Sequence, residues 1–339
     1  MYFTARTLDD LLAPVLQRLL EVRHIVSTSR GDTKELTGVL LRLRNPRARL
    51  SHTESKGRVF SCLGELLWYL AGSNKLSFIV YYIERYKKES EDNRTVYGAY
   101  GPRIFGKGSK AQVHNIIELL RRGPSTRRAV IQLFGAQDVE KRKVEVPCTC
   151  TLQFLLRRGR LHLITNMRSN DAYFGLPHDI FAFTMLQELV ARSINVEVGD
   201  YKHAVGSLHL YKDHFDAAQA YLKEGWQTTQ DPMPAMPAGD PWPYLKEVLK
   251  AERAIRGGHV SITRTEKMPD YWADMIRLLQ IFRHAKNKES GEITLLRKKM
   301  SSKVYNSYIL RREKPKTEIS QPEKQMGFPY ASDGDRSGL

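Results

Sequence analysis

Cys148 stands where a nucleophile could work. It follows Pro147 at the start of an alternating segment, where the backbone is fixed while the side chain can face a cavity. The thiolate is the reactive form, and nearby positive charge favours it, each unit of pKa being worth about 1.4 kcal/mol. Arg168 at the end of one predicted strand and the pair Arg127 and Arg128 at the start of another are placed to supply that charge. On spacing alone, the competing reading of Cys148 and Cys150 as small buried hydrophobes carries more weight. A zinc site is poorly supported, since one C-x-C without a second pair lacks the usual ligand spacing.

The string MRSNDAYFGLPHDI (167–180) is denser in chemistry. Arg168 and Ser169 together suit a phosphate, a guanidinium fork and a hydroxyl matching its oxygens. Asp179 sits where a helix N-cap belongs, and Asp is among the best caps, so capping is its first reading. His209 and Tyr211, two apart in GSLHLYKDH, suit either a core or a binding role. Glu65 is the single carboxylate in FSCLGELLWYL (60–70), a segment apolar almost all round.

These residues need elements to position them. Leu8, Leu11, Leu12, Val15, Leu16, Leu19 and Leu20 share one face of a helix over 8–22, with Thr7 as N-cap and Pro14 near its start. A loop marked by Ser and Gly follows, then a strand over Val39–Leu43. Residues 60–70 form a buried helix. Strands are expected over 128–134, 148–156 and 161–167, the last two joined by a hairpin turn at RRGR (157–160). The alternation puts Cys148, Cys150, Leu152 and Phe154 on one face and Thr149, Thr151 and Gln153 on the other. An amphipathic helix is expected over 179–192, and the five prolines between 224 and 244 predict a loop rather than a core element. Helices and strands mix without a regular βαβ rhythm, so the fold class is α+β.

The whole chain sets limits on all of this. Its 339 residues are enough for a sizeable core, and 41% hydrophobic with 27% charged is globular composition. The net charge of +17 favours a phosphate-bearing partner, whether nucleic acid, anionic lipid or nucleotide. Three cysteines make no disulfide framework, and no apolar run approaches the length of a membrane-spanning helix. The opening MYFTARTLDDLL, broken by Asp9 and Asp10, does not read as a secretory signal, and a cytoplasmic protein is expected. Residues 283–339 hold 13 basic and 7 acidic side chains, a net of +6. The last fifteen or so residues, rich in Gly, Ser, Asp and Pro, have the composition of a disordered tail.

Taken in order, the RG near position 30, GELLWYLAG, VYGAYG, RRAV, PCTCTLQF, MRSNDAYFGLP-x-D and GSLHLYKDH form one set. That set resembles the thymidylate synthase / deoxycytidylate hydroxymethylase family over roughly residues 30–214. The resemblance implies a thymidylate synthase-like α+β fold, with a large mixed sheet flanked by helices and a dimer formed through the sheet. It implies a catalytic core at 1–224, a C-terminal extension at 225–323 and a disordered tail at 324–339. The co-substrate would be 5,10-methylenetetrahydrofolate, without a metal.

By the same resemblance, Cys148 would add to C6 of a pyrimidine nucleoside monophosphate and make C5 nucleophilic. Arg30, Arg168 and Ser169 match phosphate ligands, with Arg168 also touching the thiol. Arg127 and Arg128 match the pair donated across the dimer interface. Four arginines on one phosphate absorb part of the +17, so nucleic acid is not required as a partner. Glu65 matches the glutamate that organises proton transfer, Tyr97 the tyrosine tied to loss of the C5 proton, and His209 with Tyr211 the pair that holds the sugar. Asp171 matches a pterin contact and Gly175 the glycine that leaves room for the folate.

The departures decide the expected product. Asp179 stands where uracil-specific members carry Asn. A carboxyl group can accept from N4 of cytosine and share a proton with N3, and buried mismatches of that kind discriminate by about 10⁴–10⁵. The stretch from Phe78 to Tyr97 holds no tryptophan to line the folate side, the C-terminus lacks a short apolar ending, and Thr149 is an unusual neighbour for the nucleophile. A less closed site lets water add to the one-carbon unit. Hydroxymethylation of CMP or dCMP is therefore expected. Methylation of dUMP or a cytidylate is the alternative, and a basic nucleic-acid-binding protein on an inactive enzyme scaffold is a distant one.

Overall fold

The computed structural model describes residues 1–53, 58–106, 111–140, 143–224, 232–259 and 265–313. The tail at 324–339 and the segment from 314 lie outside the described residues. Strands are β1 (Tyr2–Ala5), β2 (Val26–Thr28), β3 (Gly31–Leu43), β4 (Val130–Gln132), β5 (Thr149–Arg157), β6 (Arg160–Asp171) and β7 (Glu197–Tyr211). The helices before β7 are α1 (Leu8–Glu21), α2 (Val59–Leu70), α3 (Leu76–Tyr82), α4 (Tyr100–Phe105), α5 (Gln112–Arg122), α6 (Gln137–Glu140) and α7 (Gly175–Ser193). Those after it are α8 (Phe215–Lys223), α9 (Trp242–Arg256), α10 (Asp270–Asn287), α11 (Ser290–Lys299) and α12 (Asn306–Glu313).

The strands form one mixed sheet in the order β1-β3-β7-β6-β5-β4, with β2 on the outer part of β3. β6 and β7 are parallel and joined by α7, which packs back onto the sheet as a crossover helix does. The fold is thus α+β with a large mixed sheet flanked by helices, as expected. Thr7 caps α1 by accepting from the Asp10 amide at 3.2 Å, and the helix runs through Pro14.

Several boundaries differ from the sequence expectation, for local reasons. The Ser- and Gly-marked segment before Val39 is a β-hairpin, not an open loop. β3 begins at Gly31, whose φ of +123° makes the reversal, and pairs with β7 from Thr33 onward. β4 is shorter than 128–134. β6 is longer than 161–167, and it carries Arg168, Ser169, Asn170 and Asp171 on the sheet. The β5–β6 hairpin turns on Arg158 and Gly159 with φ of 50° and 70°, as a tight two-residue turn needs. A register shift between Thr149 and Thr151 breaks the expected alternation. Thr149 is fully buried, whereas Cys148 and Cys150 are half-buried.

Asp179 is not an N-cap. α7 starts at Gly175, so Asp179 lies inside the helix and is buried. The Pro-rich stretch is irregular from 232 to 241, yet Met233 and Met236 are buried, and the Met236 amide donates to Glu188. Beyond it the helices join the same core. Phe282 on α10 packs against Tyr82 at 5.2 Å and Phe60 at 6.0 Å, and the Tyr308 hydroxyl on α12 donates to the Ser51 carbonyl at 2.7 Å. No helix among the described residues is long and apolar enough to cross a membrane.

Candidate active site

Strand pairing assembles the first row of side chains. The Arg168 amide donates to the Cys148 carbonyl at 2.9 Å, which anchors the start of β5 to the end of β6. The Arg168 guanidinium donates to the Pro147 and Val146 carbonyls at 3.0 and 3.2 Å and lies 3.6 Å from Cys148 Sγ. Burial pushes the Cys148 thiol up to about 12. Negative charge on Glu145 pushes the same way, and Arg168 opposes both. The Arg168 guanidinium thus stands beside the sulfur and acts against the effect of burial.

Arg30, in the β2–β3 turn, reaches the same end of the sheet. It donates to Glu89 at 2.8 Å, Glu145 at 2.6 Å and the Val144 carbonyl at 2.8 Å. Two carboxylates thus occupy a fork that would match a phosphate. Burial and the Glu89 charge raise Glu145 to about 7, with Arg30 acting against them. Register places Ser169 opposite Ser207 and Asp171 opposite His209. Ser169 Oγ lies 3.4 Å from His209 Nδ1, and the His209 and Tyr211 rings meet edge to face at 4.9 Å. Arg168, Ser169, His209 and Tyr211 therefore come together at one end of two neighbouring strands.

Behind this row lies a buried polar cluster. Glu65 on α2 accepts from Tyr69, one turn further along, at 3.0 Å, and from Tyr86. Asp179 accepts from Asn170 Nδ2 at 2.7 Å, and desolvation with the neighbouring Glu65 charge raises its carboxyl well above the usual range. Tyr100 accepts from the Thr149 amide and hydroxyl at 3.2 and 3.0 Å and packs against Tyr69 at 5.1 Å. Beside the cluster, Asp171 Oδ1 accepts from the Tyr173 and Phe174 amides, and Arg58 and Arg85 lie over the Phe174 ring at 4.3 and 5.2 Å.

Three residues expected in the site stand elsewhere or at its rim. Tyr97 is 37% exposed, its ring between Arg103 at 5.4 Å and Lys143 at 5.1 Å. It borders a cleft of about 280 Å³ lined by Asn74, Ala99, Pro102, Arg103 and Gln137, which does not include Cys148. Arg127 and Arg128 are exposed at the start of β4. Gly175 does leave room, but for the Asn170–Asp179 pair: an added Cβ would lie 3.1 Å from Asn170 Nδ2 and 3.7 Å from Asp179 Oδ2.

Sequence reasoning missed Tyr69, Tyr86, Tyr100, Asn170 and His203. The i, i+4 spacing from Glu65 could have found Tyr69. Nothing local marks Tyr86, which reaches Glu65 from another element, or His203, whose Nε2 lies 3.3 Å from Asn170 Oδ1. Among the described residues no group of His, Cys, Asp and Glu could hold a metal ion.

A half-buried thiol beside an arginine, with hydroxyl and imidazole groups in a row and a buried carboxyl cluster behind them, brings together the groups for nucleophilic chemistry on an anionic substrate. The sequence model of thymidylate synthase matches residues 24–238, more than half of the chain. The chain therefore belongs to the thymidylate synthase family, enzymes that transfer one carbon from methylenetetrahydrofolate to a pyrimidine nucleotide. The fold is similar to that in the crystal structure of thymidylate synthase from T4 phage, with 22% identity and a TM-score of 0.56, over 70% of this chain and 89% of that one.

Proposed function

We propose that this protein hydroxymethylates C5 of a cytosine nucleotide, CMP or dCMP, with 5,10-methylenetetrahydrofolate. The observation that carries the reading is Asp179, a buried carboxyl on α7 whose desolvation and Glu65 neighbour raise its proton affinity well above the usual carboxylate range. A neutral carboxyl offers one donor and one acceptor, which cytosine needs at N3 and N4.

Each group has a role in this reading. Arg30, Arg168 and Ser169 bind the phosphate, joined by Arg127 and Arg128 of a second protomer in a homodimer. His209 and Tyr211 hold the sugar. Cys148 adds to C6, and Arg168 stabilises its thiolate. Glu65, held by two phenols, organises proton transfer, and Tyr97 takes part in removal of the C5 proton. The one-carbon unit arrives at C5 from methylenetetrahydrofolate. The C5 proton then leaves and tetrahydrofolate is expelled to give an exocyclic methylene, water adds to that carbon, and expulsion of the Cys148 thiolate restores the ring. Asp171, with the Arg58–Phe174–Arg85 surface beside it, fits a flat, anionic folate. Gly175 leaves the room that Asn170 and Asp179 occupy beside this corner. Residues 1–224 form the catalytic core and 225–323 its extension, in a cytoplasmic enzyme.

The test is a product assay with methylenetetrahydrofolate and, separately, CMP, dCMP, UMP and dUMP, read by mass. A hydroxymethyl adduct on a cytosine nucleotide, absent from Cys148→Ala, is expected. A methyl adduct with dihydrofolate would overturn the hydroxymethyl reading. Asp179→Asn should gain uracil nucleotides and lose cytosine ones, and an unchanged preference would overturn the base-reading role.

A further inference from the structure

A neutral carboxyl is ambivalent. With its proton on one oxygen it complements cytosine, and with the proton on the other it complements uracil. Preference for one base therefore requires something that fixes which oxygen of Asp179 donates.

A chain of buried side chains runs to that carboxyl from the far side. The Tyr201 hydroxyl lies 2.7 Å from His203 Nδ1, His203 Nε2 lies 3.3 Å from Asn170 Oδ1, and Asn170 Nδ2 donates to Asp179 Oδ2 at 2.7 Å. Tyr201 and His203 are fully buried, and Asn170 and Asp179 are 3% and 8% exposed. Tyr201 and His203 share one face of β7, Asn170 comes from β6, and Asp179 from α7, so the chain crosses three elements. Gly175 packs against its last link, where a Cβ would press on Asn170.

Donor and acceptor roles along the chain are mutually determined. Asn170 Oδ1 can only accept, so His203 must carry its proton on Nε2. Burial holds the His203 imidazole neutral, its pKa lowered to about 3, which leaves Nδ1 bare to accept from Tyr201. Every bond then points the same way, ending in an N–H aimed at Asp179 Oδ2.

We infer that Tyr201, His203 and Asn170 are positioning residues that make Asp179 Oδ2 the acceptor and confine the proton to Oδ1, so that the neutral carboxyl presents the cytosine pattern rather than the uracil one. Oδ1–H then donates to N3, and the second lone pair of Oδ2 accepts from N4. The inference rests on the base-reading role proposed above for Asp179, and it states what breaks the symmetry of that group.

The test compares kcat/KM for cytosine against uracil nucleotides in the full-length protein. Asn170→Leu and His203→Leu remove the polarity with little change in volume. Each should reduce the cytosine-over-uracil ratio by about tenfold or more, the scale of one buried hydrogen bond, chiefly by gaining uracil turnover. His203→Gln keeps a donor toward Asn170 and should restore most of the ratio, which a packing role alone would not predict. A folded Asn170→Leu with an unchanged ratio overturns the inference.

A second measurement needs no substitution. In protein labelled with ¹⁵N-histidine, the His203 resonances should show the Nε2–H tautomer, and an Nδ1–H tautomer overturns the inference. If Asp179→Asn leaves the preference unchanged, the base-reading role falls and takes the inference with it. If Asp179→Asn switches the preference but Asn170→Leu does not, the inference falls alone.

Discussion

At the residue scale, the reactivity of Cys148 is a balance between burial and two opposite charges. Burial and Glu145 raise the thiol, and Arg168 lowers it. Alkylation at Cys148 in the nucleotide-free protein, located by mass spectrometry, should therefore keep rising with pH through pH 10, because the thiolate is the reactive form. Glu145→Gln removes a negative neighbour and should speed the reaction at pH 8. Arg168→Ala removes the cation and should slow it. A plateau below pH 9 would contradict the environment described. Sequence reading found Cys148 and its arginine, because a Pro-Cys start and an arginine at a strand end are local patterns. It could not find Glu145 as a partner of Arg30, since the two stand 115 positions apart and meet only through the sheet.

At the element scale, register sets the site. The end of β6 carries Arg168 to Asp171 in consecutive positions, and β7 places His209 beside them. The closest packing in this region is Gly206 on β7, where an added Cβ would lie 2.9 Å from the Arg168 carbonyl. Gly206→Ala must displace β6 at Arg168, the residue that touches Cys148. We expect about 1–3 kcal/mol of lost stability and a larger loss of turnover, measured by thermal melting and kcat. Unchanged turnover would show that the placement of Arg168 tolerates a shifted strand. Hydrophobic period identified α1, α2 and the β5–β6 hairpin because their burial follows local patterns. It misplaced the start of α7, because a Gly-Leu-Pro string reads as punctuation when in fact Gly175 opens the helix and Pro177 lies in its first turn. It also missed the irregularity at Thr149, which depends on how β5 pairs with β6.

At the scale of the whole molecule, several of the 54 Lys and Arg side chains are paired inside the fold, which leaves the excess of +17 on the others. Arg49 and Arg47 bind the buried Glu188, Arg103 binds Asp138, and Arg256 and Arg277 bind Glu252 and Asp274. Such cations serve the fold and are not free for nucleic acid. Arg127 and Arg128, by contrast, are exposed at a sheet edge, as the shared-site proposal requires. Mixing inactive Cys148→Ala with inactive Arg127→Ala/Arg128→Ala protein should restore part of the activity, because a hybrid dimer would contain one intact site. No recovery after verified subunit exchange would argue that each protomer acts alone.

The sequence by itself determined the mixed α+β class, most of the elements, and which chemistry-bearing residue types lie along β5, β6 and β7, because types and short spacings are local properties. Whether a carboxyl at position 179 caps a helix or lies buried within one was decided only by the tertiary structure. That depends on where α7 begins, on the desolvation imposed by the surrounding core, and on Asn170 arriving from another strand. Burial and hydrogen-bond direction arise from segments distant in the chain, and no local pattern contains them.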